Sequence, residues 1–273
     1  IVGQKLTDSL GRPFVIDNRG GAGGVIAEEL AARSTPDGYT LLHVSIAHVV
    51  GSILNKKLAY DPMRDLTPVS LVVSVPNVLV VHKSLNVQSV PELIALAKAK
   101  PGQLNYASSH TTSLHLAGEL FKAMAGVDIL NVNYKSGGLA IPDLEAGRVQ
   151  MAFSVITTAL SALKGGRVRA LAVTSARRSL VLPELPAIAE FIPGYELTGW
   201  HGILAPAGTP RAVVSKLGEE VAKIMRMPDV RTKLVGMGAD PVGSTPDEFA
   251  NFRRAEVAKV STLVAKAGMK AEY

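Results

Sequence analysis

Short apolar runs alternate with stretches of helical periodicity along most of this chain. The runs are rich in β-branched residues and apolar on both faces, as parallel strands buried between helices are. The predicted strands are residues 13–17, 40–45, 69–81 (as one strand or as two divided at Pro76), 104–108, 129–134, 149–155, 168–175 and 202–205. Strands that alternate with helices in this way predict an α/β fold.

The helical stretches have readable ends. Three of them, residues 89–101, 113–125 and 138–146, each end beside a glycine. The C-terminal part of the chain is different, because it contains three helical segments joined by short links. Thr245 and Glu248 have the spacing of a capping box before the last of these segments. The sequence therefore predicts a helical cover at the C-terminal end.

Composition narrows the classes of function. The chain has 273 residues, of which 47% are hydrophobic and 19% are charged, and it has no cysteine. The lack of cysteine excludes disulfide frameworks, cysteine-ligated zinc, iron–sulfur clusters and thiol catalysis. The longest apolar run, residues 71–81, is interrupted by Pro76 and is far shorter than the roughly 20 residues of a membrane-spanning helix.

The net charge of +6 is spread over the whole chain. Residues 1–104, 105–199 and 200–273 carry +2, +1 and +3, so no segment has the concentrated positive charge of a nucleic-acid-binding surface. We therefore expect no nucleic-acid partner.

A segment rich in hydroxyl groups follows the predicted strand at 104–108. Its candidate binding residues are Ser108, Ser109, His110, Thr111, Thr112 and Ser113. Loops from strand to helix lie at the carboxyl edge of an open sheet, where ligands bind, and the first N–H groups of a helix have no acceptor within it. We interpret this segment as a cradle for a carboxylate or a phosphate. The alternative is a helix cap rich in Ser and Thr that binds no ligand.

Two other strand ends also carry candidate binding residues. They are Tyr134, Lys135, Ser136 and Gly137 after one strand, and Ser45, Ala47 and His48 after another. A second helix that begins at such an edge would strengthen the anion site. Lys135 is alternatively a solvated surface charge, and His48 is alternatively a buried core histidine.

The sequence contains few signs of catalysis. It has no His-Glu-x-x-His zinc motif and no Gly-x-Ser-x-Gly nucleophile elbow. We predict no metal and no cofactor. The rival hypothesis is an α/β enzyme that acts on an anionic metabolite, with His110 or His48 as its base.

Six motifs occur in order over essentially the whole chain. They are Thr35-Pro36-Asp37-Gly38-Tyr39-Thr40-Leu41-Leu42, Leu58-Ala59-Tyr60-Asp61-Pro62, Leu104-Asn105-Tyr106-Ala107-Ser108, His115-Leu116-Ala117-Gly118-Glu119-Leu120-Phe121, Ala205-Pro206-Ala207-Gly208-Thr209-Pro210 and Thr245-Pro246-Asp247-Glu248-Phe249. Together they closely resemble the Bug family, the extracytoplasmic substrate-binding receptors of tripartite tricarboxylate transporters.

The resemblance implies a type II periplasmic-binding-protein fold, with two α/β lobes joined by a hinge. Lobe 1 would contain residues 1–103 and 205–273, and lobe 2 would contain residues 104–204. The family normally begins with a signal peptide, a first strand and a ligand-contacting loop. The given sequence lacks them, so we expect it to be an N-terminal truncation.

The resemblance also implies a function without catalysis. A periplasmic monomer would capture a small carboxylate between its lobes by hinge closure and deliver it to the membrane subunits of the transporter. Phe153 and Ser154 join the candidate site, and Ser154 stands where the family commonly has Asp. Because that carboxylate is missing, we expect an acid without an amino group as the ligand.

Overall fold

A computed structural model of the chain describes residues 1–19, 24–55, 57–109, 112–134 and 137–267. These residues form ten α-helices and nine strands. The helices are α1 (Val2–Leu10), α2 (Val25–Ala32), α3 (Ile46–Leu54), α4 (Val90–Ala99), α5 (Ser113–Ala125), α6 (Ile141–Glu145), α7 (Ile156–Lys164), α8 (Arg211–Arg226), α9 (Pro228–Gly236) and α10 (Pro246–Ala267). The strands are β1 (Leu42–Ser45), β2 (Leu66–Val75), β3 (Asn77–His82), β4 (Asn105–Ser109), β5 (Leu130–Tyr134), β6 (Met151–Val155), β7 (Val168–Val173), β8 (Gly199–Pro206) and β9 (Asp240–Pro241).

The chain divides into two compact units. Unit 1 contains Ile1–Ser74, Trp200–Val235 and Pro241–Tyr273, and unit 2 contains Val75–Gly199 and Gly236–Asp240. The first boundary lies well before the predicted boundary at residue 104, because β3 pairs with β6 and β7 and so belongs to unit 2. The second boundary precedes β8, whose residues pair with β1 in unit 1. The return of residues 236–240 to unit 2 was not predicted.

Unit 1 contains a four-stranded sheet in the order β1-β8-β2-β9. The indole of Trp200 on β8 is buried and meets the rings of Phe249 and Phe252 edge-on, at centroid distances of 5.8 and 5.6 Å. Both phenylalanines belong to α10. The predicted helical cover at the C-terminal end is confirmed as α8, α9 and α10.

Unit 2 contains a five-stranded sheet in the order β5-β4-β6-β3-β7. β4, the second strand in this order, runs parallel to β5 and β6, whereas β3 runs antiparallel to both of its neighbours. An aromatic cluster of Tyr106, Phe121, Phe153 and Tyr195 packs beneath α5. The sheet is therefore mixed. The apolar runs had indicated a wholly parallel sheet, which the structure does not show.

The predicted strand at residues 13–17 does not form. Val15 and Ile16 are 87% and 71% exposed, and no strand within the described part of the chain pairs with them. An apolar run becomes a strand only when a neighbour satisfies its backbone N–H and C=O groups. Pro76 divides the predicted strand at 69–81 into β2 and β3, one of the two alternatives.

A close approach between α5 and β4 gives the first prediction. A Cβ atom at Gly118 would lie only 2.1 Å from Cε2 of Tyr106. Gly118→Ala should therefore lower the free energy of unfolding by about 1–3 kcal/mol, the usual effect of overpacking a core. Denaturant unfolding monitored by circular dichroism measures this change.

The control is Gly51→Ala in the middle of α3. No atom in the described ranges lies within 4 Å of a Cβ built at Gly51. Removing a helical glycine there should raise stability by up to about 1 kcal/mol. Equal effects of the two substitutions would contradict the packing argument.

Candidate functional site

The candidate residues of unit 1 lie where β1 passes directly into α3. Ser45 ends the strand and is the N-cap of the helix, and its hydroxyl accepts a 3.3 Å hydrogen bond from the N–H of Ala47. This is the usual role of a serine at a helix start. Ser45 and Ala47 are partly buried, so both remain near the surface of unit 1.

His48 lies one residue further along and is buried, with 2% of its surface exposed. Its Nδ1 is 2.8 Å from Oε2 of Glu28, and the hydroxyl of Tyr60 donates to the same oxygen at 2.7 Å. An ionised carboxylate only accepts hydrogen bonds, so Nδ1 carries the proton. The reading of His48 as a buried, hydrogen-bonded histidine is therefore supported, and its enclosure speaks against a role as a general base.

Glu28 is a buried charge held by several partners. Burial raises the pKa of this carboxyl, but hydrogen bonds from His48 and Tyr60 and the positive charge of Arg253 outweigh burial, so the net pKa is lowered. Arg253 is also buried, and burial lowers its pKa to about 10 although Glu28 opposes that shift. The guanidinium donates to the carbonyl oxygens of Pro62 and Leu66 at 2.7 and 3.1 Å. The two opposite charges thus anchor α2 and α10 in the core of unit 1.

The buried carboxylate gives the second prediction. Glu28→Gln should lower the free energy of unfolding at pH 7 by about 1–3 kcal/mol, because charge-assisted hydrogen bonds are lost. The folded-state pKa of Glu28 lies below its ordinary value of 4.5, so its contribution is complete above that pH and disappears as the pH falls through the folded pKa. The stability difference between wild type and variant should therefore shrink as urea unfolding is repeated at decreasing pH.

Glu29→Gln is the matched control for this experiment. Glu29 is adjacent on α2 and pairs with Arg33 at the surface. Its removal should change stability by less than about 1 kcal/mol, as for other exposed ion pairs. If the Glu28→Gln difference stays constant with pH, ionised Glu28 is not the stabilising group.

In unit 2, Ser108 belongs to a chain of hydrogen bonds with a single direction. Its hydroxyl donates to Oδ1 of Asn131 at 3.1 Å, and Nδ2 of Asn131 donates to the hydroxyl of Tyr106 at 2.7 Å. Tyr106 then donates to Glu119 at 2.6 Å. Burial, and then the hydrogen bond to Glu119, raise the pKa of Tyr106 well above its ordinary range. Since a serine has one hydroxyl proton, Ser108 has none left for a ligand.

Thr112 is the N-cap of α5, but its side chain does not cap the helix. Its hydroxyl donates instead to the carbonyl of Ser109 at 2.6 Å. The N–H groups of Ser113 and Leu114 have no acceptor among the residues that the structure describes. The start of α5 therefore presents donors from the backbone, whereas the hydroxyl of Thr112, one of the expected side-chain donors, is already bonded to Ser109.

The other predicted residues of unit 2 follow β5 and β6. Tyr134 ends β5, and its hydroxyl donates to Asp143 at 2.8 Å. Phe153 and Ser154 are buried on β6, and the Ser154 hydroxyl donates to the carbonyl of Val155 at 3.3 Å. Gly137 begins a 3-10 turn that ends at Ala140.

Four predicted site residues lie outside the described residues. They are His110, Thr111, Lys135 and Ser136. The structure groups Ser45, Ala47 and His48 at one strand end of unit 1. It groups Ser108, Ser109, Thr112 and Ser113 at one strand end of unit 2.

Sequence reasoning missed the partners that hold these groups in place. Glu28 and Tyr60 hold His48, and Asn131 holds Ser108. A helical Glu with no basic residue on its face is a weak local signal for burial. Asn131 lies directly opposite Tyr106, a position that only the pairing of β4 with β5 reveals.

Comparison with known proteins identifies the family. The model for the tripartite tricarboxylate transporter family receptor matches residues 1–269. The chain is 36% identical to BugT of Bordetella pertussis over 274 residues, which cover 99% of this chain and 84% of BugT. The match spans nearly the whole chain, as the resemblance of the motifs predicts.

Solved structures give the same result. Rpa4515 from R. palustris with adipate has a TM-score of 0.78 and 38% identity, over 98% of this chain and 91% of that chain. MatC from Rhodopseudomonas palustris with bound malate has a TM-score of 0.72 and 30% identity, over 96% of this chain and 92% of that chain. The α/β fold and these likenesses define a solute-binding receptor. The chain belongs to the family of tripartite tricarboxylate transporter receptors.

This membership confirms the predicted fold class and receptor function and does not favour the enzyme hypothesis. Among the residues described, no group of three or more His, Asp or Glu side chains could hold a metal ion. No helix in the described ranges has the length and apolar character needed to cross a bilayer.

Proposed function

We propose that this receptor binds a small carboxylate at the start of α5 in unit 2. The observation that carries the proposal is the uncapped helix N-terminus at the carboxyl end of β4. The N–H groups of Ser113 and Leu114 and the positive end of the helix dipole both favour a negative ligand. Of the candidate residues, Ser109, His110, Thr111, Thr112 and Ser113 would surround this anion position.

The remaining candidates support the ligand in different ways. Ser108 and Ser154 have already donated their hydroxyl protons, so they accept hydrogen bonds or position the backbone. Tyr134, Lys135, Ser136, Gly137 and Phe153 form the neighbouring part of unit 2 in this proposal. In unit 1 we propose Ser45 and Ala47 as contacts, with His48 holding that segment in place. Hinge closure on binding remains a prediction, which small-angle scattering with and without ligand tests.

The ligand class follows from the charges near these strand ends. Residues 45–48, 108–113, 134–137 and 153–154 contain no Asp or Glu. An ammonium group buried there would have no charged partner, which is strongly unfavourable. The related structures contain adipate and malate, which are dicarboxylates without an amino group. We therefore propose a mono- or dicarboxylic acid, aliphatic or aromatic, and not an amino acid.

We also propose the biological setting that the family suggests. The receptor would act in the periplasm as a monomer, without a cofactor, and would present its ligand to the membrane subunits of a tripartite transporter. Light scattering of the purified protein measures its molar mass and so tests whether it is a monomer.

Backbone donors and side-chain donors at the start of α5 can be separated experimentally. Ser113→Pro removes the N–H of the first helical residue, a position where proline is well tolerated. Thr112 has φ −102° and ψ 168°, which suits a residue before proline. Ser113→Pro should weaken adipate binding by about 1.5–3 kcal/mol in calorimetry, the scale of a hydrogen bond to a charged group.

Ser113→Ala is the control, because it removes only the hydroxyl and keeps the N–H. Its free energy of adipate binding should lie within about 1 kcal/mol of the wild-type value. If Ser113→Pro binds normally while Ser113→Ala does not, the anion is held by hydroxyl groups.

The ligand class can be tested by thermal shift. We expect at least one acid in a panel of adipate, malate and aromatic acids to raise the unfolding temperature, because a ligand that binds only the folded state stabilises it. Aspartate and glutamate should give no shift. Stabilisation by these amino acids, but not by succinate and glutarate, would contradict the proposed ligand class.

A further inference from the structure

Asn77 is a fully buried polar residue in an otherwise apolar strand. It begins β3, and none of its surface is exposed. Neither Oδ1 nor Nδ2 of its side chain has a hydrogen-bond partner among the described residues. A buried amide without partners is destabilising, and in a native protein it calls for a specific explanation. A trapped water molecule or a ligand can supply the partner that this amide lacks among the described residues.

The backbone of Asn77 is fixed on both sides. Its N–H donates to Oγ1 of Thr174 at 2.9 Å, and its carbonyl accepts from the N–H of Thr174 at 2.9 Å. On its other side it lies opposite Val155, the last residue of β6. Asn77 is therefore at the sheet edge where the candidate strands β4 and β6 end, and its position does not depend on the side-chain amide.

The register shows which face of the sheet the amide occupies. Leu79 lies directly opposite Phe153, and opposite residues of an antiparallel pair share a face. The ring of Phe153 packs against Phe121 of α5, at a centroid distance of 6.2 Å. Asn77 is two residues before Leu79 and so lies on the same face, the one that α5 covers.

The start of α5 lies close to the segment that leads into Asn77. A Cβ atom built at Gly199 would be 3.5 Å from Oγ of Ser113 and 3.5 Å from Cβ of Val75. Ser113 is the first residue of α5, and Val75 is two residues before Asn77. The uncapped helix N-terminus therefore lies near Val75, two residues along the chain from Asn77, whose amide is on the face that α5 covers.

We propose that Asn77 is a specificity-determining residue of the carboxylate site. Nδ2 donates a hydrogen bond to the carboxylate that binds at the start of α5, either directly or through one trapped water. Oδ1 accepts from that water or from a hydroxyl group of the ligand. This inference rests on the proposed function and adds to it a neutral donor from the sheet. The unpartnered amide destabilises the protein without ligand. A hydrogen bond that forms on binding removes this cost and so adds to the free energy of binding.

Asn77→Leu separates a ligand-binding role from a structural role. Leucine has nearly the shape of asparagine and removes the unpartnered amide, so the unfolding temperature without ligand should stay the same or rise. The affinity for adipate, measured by calorimetry on the intact chain, should fall at least tenfold. Asn77→Val, which suits a strand, takes its place if the leucine variant does not fold.

Asn77→Asp provides a readout that a structural role would not produce. At neutral pH the new carboxylate would repel the ligand and reduce affinity more than Asn77→Leu does. The affinity of this variant should recover as the pH falls and the introduced carboxyl takes up a proton, whereas the affinity of Asn77→Leu should not.

Thr174→Val is the matched control. It removes the hydroxyl that accepts from the backbone of Asn77 without changing the amide. It should lower the unfolding temperature and leave the adipate affinity within twofold of the wild-type value.

If Asn77→Leu binds adipate with wild-type affinity, the proposed role of Asn77 is wrong, although the proposed function as a carboxylate receptor still holds. If the wild type binds no carboxylate of the panel, the proposed function fails and this inference fails with it.

Discussion

In the described part of the chain, β1, β4 and β6 each lead into a helix at the end of the strand, and the first N–H groups of such a helix need acceptors. Ser45 meets part of that need for α3. Val155, before α7, has no side-chain acceptor, and Thr112, before α5, directs its hydroxyl to the carbonyl of Ser109. Of these three helices, the two without a side-chain cap, α5 and α7, both begin in unit 2. In the proposed site, an anionic ligand would complete the hydrogen bonding at the start of α5.

The two units stabilise these strand ends by different means. Unit 1 uses opposite charges, since Glu28 and Arg253 are both buried and His48 of α3 is hydrogen-bonded to Glu28 of α2. In unit 2 a chain of hydrogen bonds runs through neutral groups from Ser108 to Tyr106 and ends at Glu119, which pairs with Lys122. β4 is thus held at Ser108 by groups that carry no charge.

Local sequence patterns predicted most of the helices and strands. They failed where the formation of a strand or the boundary of a unit depends on pairing with a distant part of the chain. The strands at 40–45 and 104–108 were predicted to within two residues at each end, because short runs bounded by turn residues are local signals. Residues 13–17 carry the same signal and form no strand, since pairing depends on a neighbour. The boundary of unit 2 differs from the predicted one because β3 pairs with strands about 70 to 95 residues later. The described candidate residues lie at strand ends, as predicted, but the partners of their hydroxyl groups were not predicted.

The helix N-terminus alone does not explain selectivity for one acid over another. Each hydrogen bond to a charged group contributes about 1.5–3 kcal/mol, and every carboxylate can form these bonds equally well. Micromolar affinity requires about 8 kcal/mol, so the body of the ligand must add the rest. Each buried methylene group of an aliphatic diacid contributes about 0.8 kcal/mol, which makes chain length a source of discrimination. The start of α5 would therefore define the class of ligand, and the apolar surroundings of the ligand's carbon chain would select among its members.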